Sequence, residues 1–269
     1  MHKPSNFFDY FVASSIAAGT LLFFGVYLWI RQGYFFDAPE YNGTLYLPNK
    51  ALGSAAVVLI AFSFFVGPVT RFFDRFDTWL QYRKEIGIVG GFLAILHGII
   101  TAFFIPERFR LSELFASGNE LVVYSGLVGA IVLALLTLIS FRYLIEVLGG
   151  SRWWFLQRWG LRLVVLATVL HVIPMKWSSW ENWFVIPVAA SPDVAHPGMA
   201  PVSLLVMIFL FWVISIRAYE TVALFRSGGI TTKEISLDPI LKQKGRNFVL
   251  VSLWMTIGLL LVVLTRWMF

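Results

Sequence analysis

Residues 86–105, IGIVGGFLAILHGIITAFFI, decide the fold of this chain because they are almost uniformly apolar and contain a single ionisable side chain, His97. A helix needs about 20 such residues to cross about 30 Å of hydrocarbon. The same apolar character recurs along the chain, which predicts an all-α, polytopic membrane helix bundle. The seven predicted spans are Asp9–Ile30, Ala51–Phe72, Ile86–Ile105, Leu121–Phe141, Trp159–Ile173, Pro201–Ile216 and Phe248–Trp267.

The fifth predicted span is short and ends at Pro174, because proline removes a backbone donor and interrupts a helix. A second apolar stretch, Trp183–Ala190, follows it and is predicted to be a re-entrant or interfacial segment. Three tryptophans in this region favour the membrane interface, where indole rings are enriched. These are Trp177, Trp180 and Trp183.

The composition excludes several classes of protein. Hydrophobic residues make up 58% of the chain and charged residues 13%, against about 45–50% and about 25% in soluble domains. Mean hydropathy is +0.77. The absence of cysteine excludes disulfides, thiolate nucleophiles and iron–sulfur clusters. No G-x-G-x-x-G or P-loop sequence is present, so electrons would have to come from a separate redox partner protein, a quinone, or a flavin bound within the bundle.

The basic residues predict the orientation of the chain in the membrane. The net charge is +6, but the lysines and arginines lie in short loops between spans, which indicates positive-inside topology and lipid contact and not nucleic-acid binding. This pattern predicts a cytoplasmic N-terminus and an extracytoplasmic C-terminus, with a bacterial inner membrane as the expected location. Ser227–Arg246 is then inside and Ser178–Pro197 outside, and Phe8–Ile30 is a first span and not a cleavable signal peptide.

Two histidines lie within predicted spans, and ionisable residues at such depth are expensive unless they have a function or a partner. His97 and His171 are about eleven and twelve residues from the cytoplasmic ends of the third and fifth spans. Those spans run in the same direction, so at about 1.5 Å rise per residue the two imidazoles reach the same depth. Equal depth on parallel helices suits two axial ligands of one haem iron. The alternative is that each histidine is a hydrogen-bonded residue between helices.

Small residues surround both histidines at helical spacing, which would leave room for a flat ring against the backbone. They are Ala94, Gly98 and Thr101 near His97, and Ala167 and Thr168 near His171.

A group of basic residues is predicted at the cytoplasmic side of the same spans. Arg and Lys favour phosphate, so a flavin phosphate or an anionic head group would fit there, the alternative being topology and lipid contact alone. The group comprises Arg75, Arg83, Lys84, Arg158 and Arg162. On the other side, Asp193 and His196 would be able to dock a metal ion or a partner, although the surrounding prolines are typical of a rigid connector.

Three segments resemble consecutive signatures of the ferric reductase-like transmembrane domain family. They are Gly53–Arg71 (GSAAVVLIAFSFFVGPVTR), Arg83–Ile99 (RKEIGIVGGFLAILHGI) and Trp154–His171 (WFLQRWGLRLVVLATVLH). This family includes the haem-binding membrane subunit of the bacterial methionine sulfoxide reductase system, and its more distant relatives are the STEAP metalloreductases and NADPH oxidases. The resemblance implies a six-helix core over residues 1–220 that binds haem b through His97 and His171. Residues 221–269 would add a cytoplasmic loop and one further helix.

The chain departs from the methionine-reductase branch where that branch has another histidine near the start of the fifth span. Gln157, Arg158 and Trp159 stand there, and the inner third span offers Arg83 and Lys84. One haem per chain is therefore expected, with FMN, FAD or quinone as the candidate carrier on the cytoplasmic side. The predicted function is a haem b subunit that relays electrons to an extracytoplasmic acceptor, as an oxidoreductase subunit with a partner-supplied donor if it is an enzyme. A cofactor-free transport or scaffold subunit is the alternative.

Overall fold

The computed structural model describes residues 7–34, 45–74, 76–105, 118, 120–185, 199–227 and 237–266. Within these ranges the chain is helical and contains no strand, which confirms the all-α prediction. Seven helices are long and apolar enough to cross a membrane. They are α1 (Phe7–Leu28, continued by a π-helical segment, Trp29–Tyr34), α2 (Tyr46–Phe73), α3 (Arg83–Phe103), α4 (Glu120–Leu138), α5 (Gly150–Val185), α6 (Val202–Arg226) and α7 (Pro239–Thr265). Short helices at Asp77–Leu80 and Arg142–Leu148 lie between them.

Helix α2 is the centre of the bundle. It is the most buried of the seven spans, whereas α4 and α7 are the least buried. Large apolar side chains such as Trp254 and Met255 on α7 remain exposed, as expected for a surface in contact with lipid tails. The prediction of seven spans is confirmed.

The closest helix pairs are α2 with α3 and α4 with α5. Glycine permits the close approach in both pairs, as is common where helices pack in lipid. A Cβ on Gly90 of α3 would lie 3.0 Å from the Cβ of Leu59 on α2. A Cβ on Gly160 of α5 would lie 2.6 Å from Cδ2 of Leu136 on α4. The fold therefore contains two tight antiparallel hairpins, α2–α3 and α4–α5.

The prediction that the fifth span ends at Pro174 is wrong, since α5 continues through this residue to Val185. A proline inside a helix removes one hydrogen bond, but tertiary contacts stabilise the turns beyond it. The indole of Trp180 donates to the hydroxyl of Ser203 at 2.9 Å. Trp183 is buried against α6 and α7, beside Ala200 and Val263.

The C-terminal end of α5 is also capped by the last described residue of the chain. Arg266 Nη1 donates to the carbonyl oxygen of Trp183 at 2.7 Å, and its other terminal nitrogen donates to that of Phe184. These bonds satisfy carbonyls that a helix end leaves without partners. The predicted Trp183–Ala190 segment therefore begins as part of α5, and residues 186–190 lie outside the described residues.

At the opposite end of the bundle, α7 is joined to the end of α2. Arg246 Nε donates to the carbonyl oxygen of Phe72 at 2.7 Å, and Lys242 forms an ion pair with Asp74. A Cβ on Gly245 would lie 2.4 Å from Cδ1 of Phe72. Glycine is thus required where α7 crosses α2.

Candidate functional site

His97 is held between α3 and α2 by its Nδ1 atom. Nδ1 lies 2.9 Å from the backbone oxygen of Asn49 and 2.9 Å from its side-chain oxygen Oδ1. The ring lies against Gly53, where a Cβ would be 3.1 Å from both Nδ1 and Cε1. Glycine at this position therefore lets the imidazole approach α2 more closely than a residue with a Cβ would.

His171 is held between α5 and α4 in the same way. Its Nδ1 lies 2.8 Å from the backbone oxygen of Val122. The ring lies against Gly126, where a Cβ would be 2.8 Å from Nδ1 and 3.0 Å from Cε1. In each hairpin the glycine follows the accepting residue by one helical turn, and the accepting residue precedes its histidine by 48 or 49 residues.

These contacts determine which nitrogen carries the proton on each imidazole. A carbonyl oxygen only accepts, so Nδ1 is the donor in both rings. In the neutral form Nε2 then bears the lone pair. Neither Nε2 forms a hydrogen bond with any of the described residues, and both rings are only half-buried. Each histidine therefore has Nδ1 in a hydrogen bond and Nε2 unbonded to the described residues.

The two imidazoles are near enough to each other to interact electrostatically, and Lys176 is in range of both. Gly98 is exposed, and a Cβ there would meet nothing within 4 Å. Ala94 and Ala167 instead pack between helices, where Ala167 contacts Gly129. The small residues predicted around the histidines thus serve partly for helix packing.

The basic residues converge at the other end of the same helices. Arg83 Nε donates to the backbone oxygen of Ser63 at 3.0 Å, while the Ser63 hydroxyl donates to the backbone oxygen of Arg83 at 2.9 Å. A Cβ on Gly67 would lie 3.3 Å from both terminal nitrogens of Arg217 and 3.5 Å from Nη1 of Arg83. Two guanidinium groups therefore lie beside this glycine. The Arg217 group also stacks over Phe64 at 4.5 Å.

One buried carboxylate, Glu220, is at the centre of this group. Its oxygens accept from Nη1 of Arg71 and from Nη1 of Arg217, each at 2.6 Å. Three further arginines lie within electrostatic range of Glu220, so we call Arg71, Arg83, Arg158, Arg162, Arg217 and Glu220 the arginine cluster. The Nε of Arg217 is buried and has no hydrogen-bond partner among the described residues. Five guanidinium groups around one carboxylate leave an excess of positive charge.

The structure brings together three of the predicted basic residues, Arg83, Arg158 and Arg162. Lys84 follows Arg83 directly on α3, and adjacent helical residues do not face the same way. Arg75, Asp193 and His196 lie outside the described residues. Sequence reasoning missed Arg71, Arg217 and Glu220 as site residues. Arg217 and Glu220 were missed because the sixth span was predicted to end at Ile216, whereas α6 runs on to Arg226. The Arg–x–x–Glu spacing of Arg217 and Glu220 was the available signal.

Sequence reasoning also missed the residues that hold the histidines. Asn49, Gly53, Val122 and Gly126 contact the two rings from the preceding span. A glycine and a histidine at matching separations in the two hairpins would have been the signal.

Comparison with known families identifies the central part of the chain. Residues 52–168 match the family model for the ferric reductase like transmembrane component. The match supports the ferric reductase-like family and indicates a membrane redox component. It begins in α2, includes His97 and the N-terminal half of α5, and ends shortly before His171. No curated protein gave a significant match to the chain.

The arginine cluster generates a prediction about stability. Replacing Glu220 with glutamine leaves Arg71 and Arg217 without their buried carboxylate, and breaking such a pair costs about 3–5 kcal/mol. We expect E220Q to lower the thermal unfolding temperature of the detergent-purified protein. The control is E146Q, which removes an exposed carboxylate. Equal unfolding temperatures for the two variants would contradict a stabilising role for Glu220.

Proposed function

We propose that this protein is a membrane electron-transfer subunit that holds one b-type haem between His97 and His171 and passes electrons to an extracytoplasmic acceptor. The observation that carries the proposal is the matched pair of imidazoles, each with Nδ1 bonded to a backbone oxygen and Nε2 available. Domains of the ferric reductase-like family generally bind haem, which agrees with this donor set. The haem-binding membrane subunit of methionine sulfoxide reductase systems is the relative we propose.

The residues present fit a haem. His97 and His171, on spans that run in the same direction, would hold a b-type haem through their Nε2 atoms. A metal ion held by protein ligands alone fits less well, because no group of three or more His, Asp or Glu side chains converges among the described residues. When bound, haem supplies one-electron chemistry between ferric and ferrous iron, and two axial ligands leave no open position for oxygen.

The chain itself contributes orientation and exclusion of water. The bonds from Nδ1 to Asn49 and to Val122 select the tautomer with a basic Nε2. Gly53 and Gly126 let each ring approach the neighbouring helix. The apolar spans around them keep water away from the site.

The count of one haem per chain follows from the residues near the inner ends of α3 and α5. Arginine and lysine are not ordinary haem ligands. Gln157 also donates to the Leu136 backbone oxygen at 3.1 Å and to the Ser140 hydroxyl at 2.9 Å, and Arg83 is bonded to Ser63. These side chains join helices to one another.

We also propose that the arginine cluster serves the donor side. Arg83, Arg158 and Arg162 would hold the phosphate of FMN or FAD or lie next to a quinone, and Lys84 would add positive charge at the same end of α3. Arginine binds phosphate through paired N–H donors, and the cluster has more guanidinium groups than its one carboxylate neutralises. A separate redox protein or a quinone would deliver the electrons.

A cofactor-free transport or scaffold subunit is the competing function. It requires that both histidines only join helices, as their bonds to α2 and α4 already allow. The visible spectrum separates the two functions.

We expect H97A and H171A each to lose stable haem binding, because either substitution removes one of two axial bonds. The measurement is the reduced-minus-oxidised spectrum of detergent-purified protein, with a pyridine haemochrome assay for content. Wild type is expected to contain about one haem per chain. The control H196A removes a histidine outside the spans and is expected to keep its haem. Full haem content in H97A or H171A removes that residue from the assignment, and a featureless wild-type spectrum from haem-replete cells supports the scaffold function.

For the donor side, we expect R158Q combined with R162Q to lower the flavin or quinone content of the purified protein while haem content is unchanged. The flavin is measured by fluorescence after denaturation and the quinone by extraction. The control R152Q removes an exposed arginine on the first turn of α5. If wild type contains neither carrier but retains haem, the cluster contacts only lipid or structural partners.

The proposed orientation places the arginine cluster at the cytoplasmic face. The chain contains no cysteine, so single cysteines introduced by S191C and S236C can be labelled without background. We expect a membrane-impermeant maleimide to label S191C in intact cells and S236C only after permeabilisation. The opposite pattern would reverse the topology and place the histidines nearer the cytoplasmic face.

A further inference from the structure

We propose that Asn49 is a positioning residue that makes the two histidines unequal as ligands, by strengthening the donor nitrogen of His97 but not that of His171. This inference rests on the proposed haem function. It concerns how this chain tunes the site and not whether the site exists.

Asn49 lies on the first turns of α2 and is 3% exposed. His97 Nδ1 lies 2.9 Å from its backbone oxygen and 2.9 Å from its Oδ1. One N–H group therefore faces two acceptors from a single residue. His171 Nδ1 faces the backbone oxygen of Val122, and the valine side chain has no acceptor to add.

The orientation of the Asn49 amide is determined by Thr101. The Thr101 hydroxyl donates to the backbone oxygen of His97 at 2.8 Å, so its oxygen can only accept from other groups. The Asn49 amide nitrogen Nδ2 donates to this oxygen at 2.8 Å. With Nδ2 committed to Thr101, Oδ1 is the atom turned toward His97. The three residues form a closed ring of hydrogen bonds between α2 and α3.

A second acceptor pulls the Nδ1 proton more strongly and gives the imidazole more anionic character, which raises the basicity of Nε2. A more basic axial ligand favours the ferric over the ferrous state, so the midpoint potential falls. His97 has a side-chain acceptor from Asn49 in addition to a backbone oxygen, whereas His171 has, among the described residues, only the backbone oxygen of Val122. The asymmetry can therefore be removed by mutating Asn49, which changes the acceptors of His97 alone.

The experiment compares N49L with V122A in purified holoprotein. N49L keeps nearly the size of the side chain and the backbone acceptor but removes Oδ1, whereas V122A changes no acceptor. We expect N49L to raise the midpoint potential, with about a tenfold change in the ratio of reduced to oxidised haem at a fixed potential, which is about 59 mV for a one-electron couple. We expect N49L to bind haem about 10–100-fold less tightly. N49D replaces the amide oxygen with a stronger, anionic acceptor and is expected to lower the potential relative to N49L.

The low-temperature electron paramagnetic resonance spectrum gives a second measurement, because the ferric signal of a bis-imidazole haem changes with axial ligand strength. N49L with wild-type potential and spectrum would overturn the proposal.

If N49L loses its haem entirely, T101V provides the test. This variant retains the Asn49 amide but removes the hydrogen bond that fixes its orientation, so Oδ1 is free to turn away from His97. We expect T101V to raise the potential in the same direction by a smaller amount, and an unchanged potential in T101V would overturn the proposal. A wild-type protein without haem would instead refute the proposed function.

Discussion

A polar group inside a bilayer has no water to bond, so each intramembrane histidine must find its partner on a neighbouring helix. Here the partner is a backbone oxygen that already belongs to a helical turn. Because a helical carbonyl points toward the residue four positions later, a side chain there would block the approach of a ring. Glycine at 53 and 126 removes that obstacle. The close packing of α2 against α3 and of α4 against α5 therefore allows the same contact, histidine Nδ1 to a backbone oxygen, to form in both hairpins.

The same four helices separate two kinds of chemistry along their length. On α3, Arg83 and His97 are separated by about 20 Å at 1.5 Å rise per residue, and Arg158 and His171 on α5 by a similar distance. The arginines thus lie at one end of these helices and the two imidazoles lie further along them. In the proposed function, this arrangement keeps the charged donor-side carrier apart from the site that needs neutral ligands. Glu220 limits the repulsion among the arginines without neutralising it.

Hydropathy predicted the seven spans because a helix satisfies its own backbone hydrogen bonds, so the local composition of side chains decides whether a segment is stable in lipid. It was wrong at Pro174, because the local effect of proline was weighed without the contacts of Trp180, Trp183 and Arg266 that stabilise the following turns. It also placed Glu220 beyond the sixth span, since a charged residue lowers local hydropathy whether or not two arginines bind it. Both errors have the same cause, namely long-range partners that offset a local penalty.

For the candidate site, the sequence alone indicated the two histidines and part of the arginine cluster as candidates. Two ionisable side chains in apolar spans and a row of arginines near the span ends are visible in the printed letters, because burial cost makes such residues rare. Only the tertiary structure decided which nitrogen of each histidine forms a hydrogen bond, since the partners Asn49 and Val122 lie 48 and 49 residues earlier in the chain. It likewise decided that Arg71 and Arg217 belong with Arg83, because the helices that carry them meet only when the bundle forms. A hydrogen bond between helices depends on ångström-scale packing, which hydropathy and spacing do not encode.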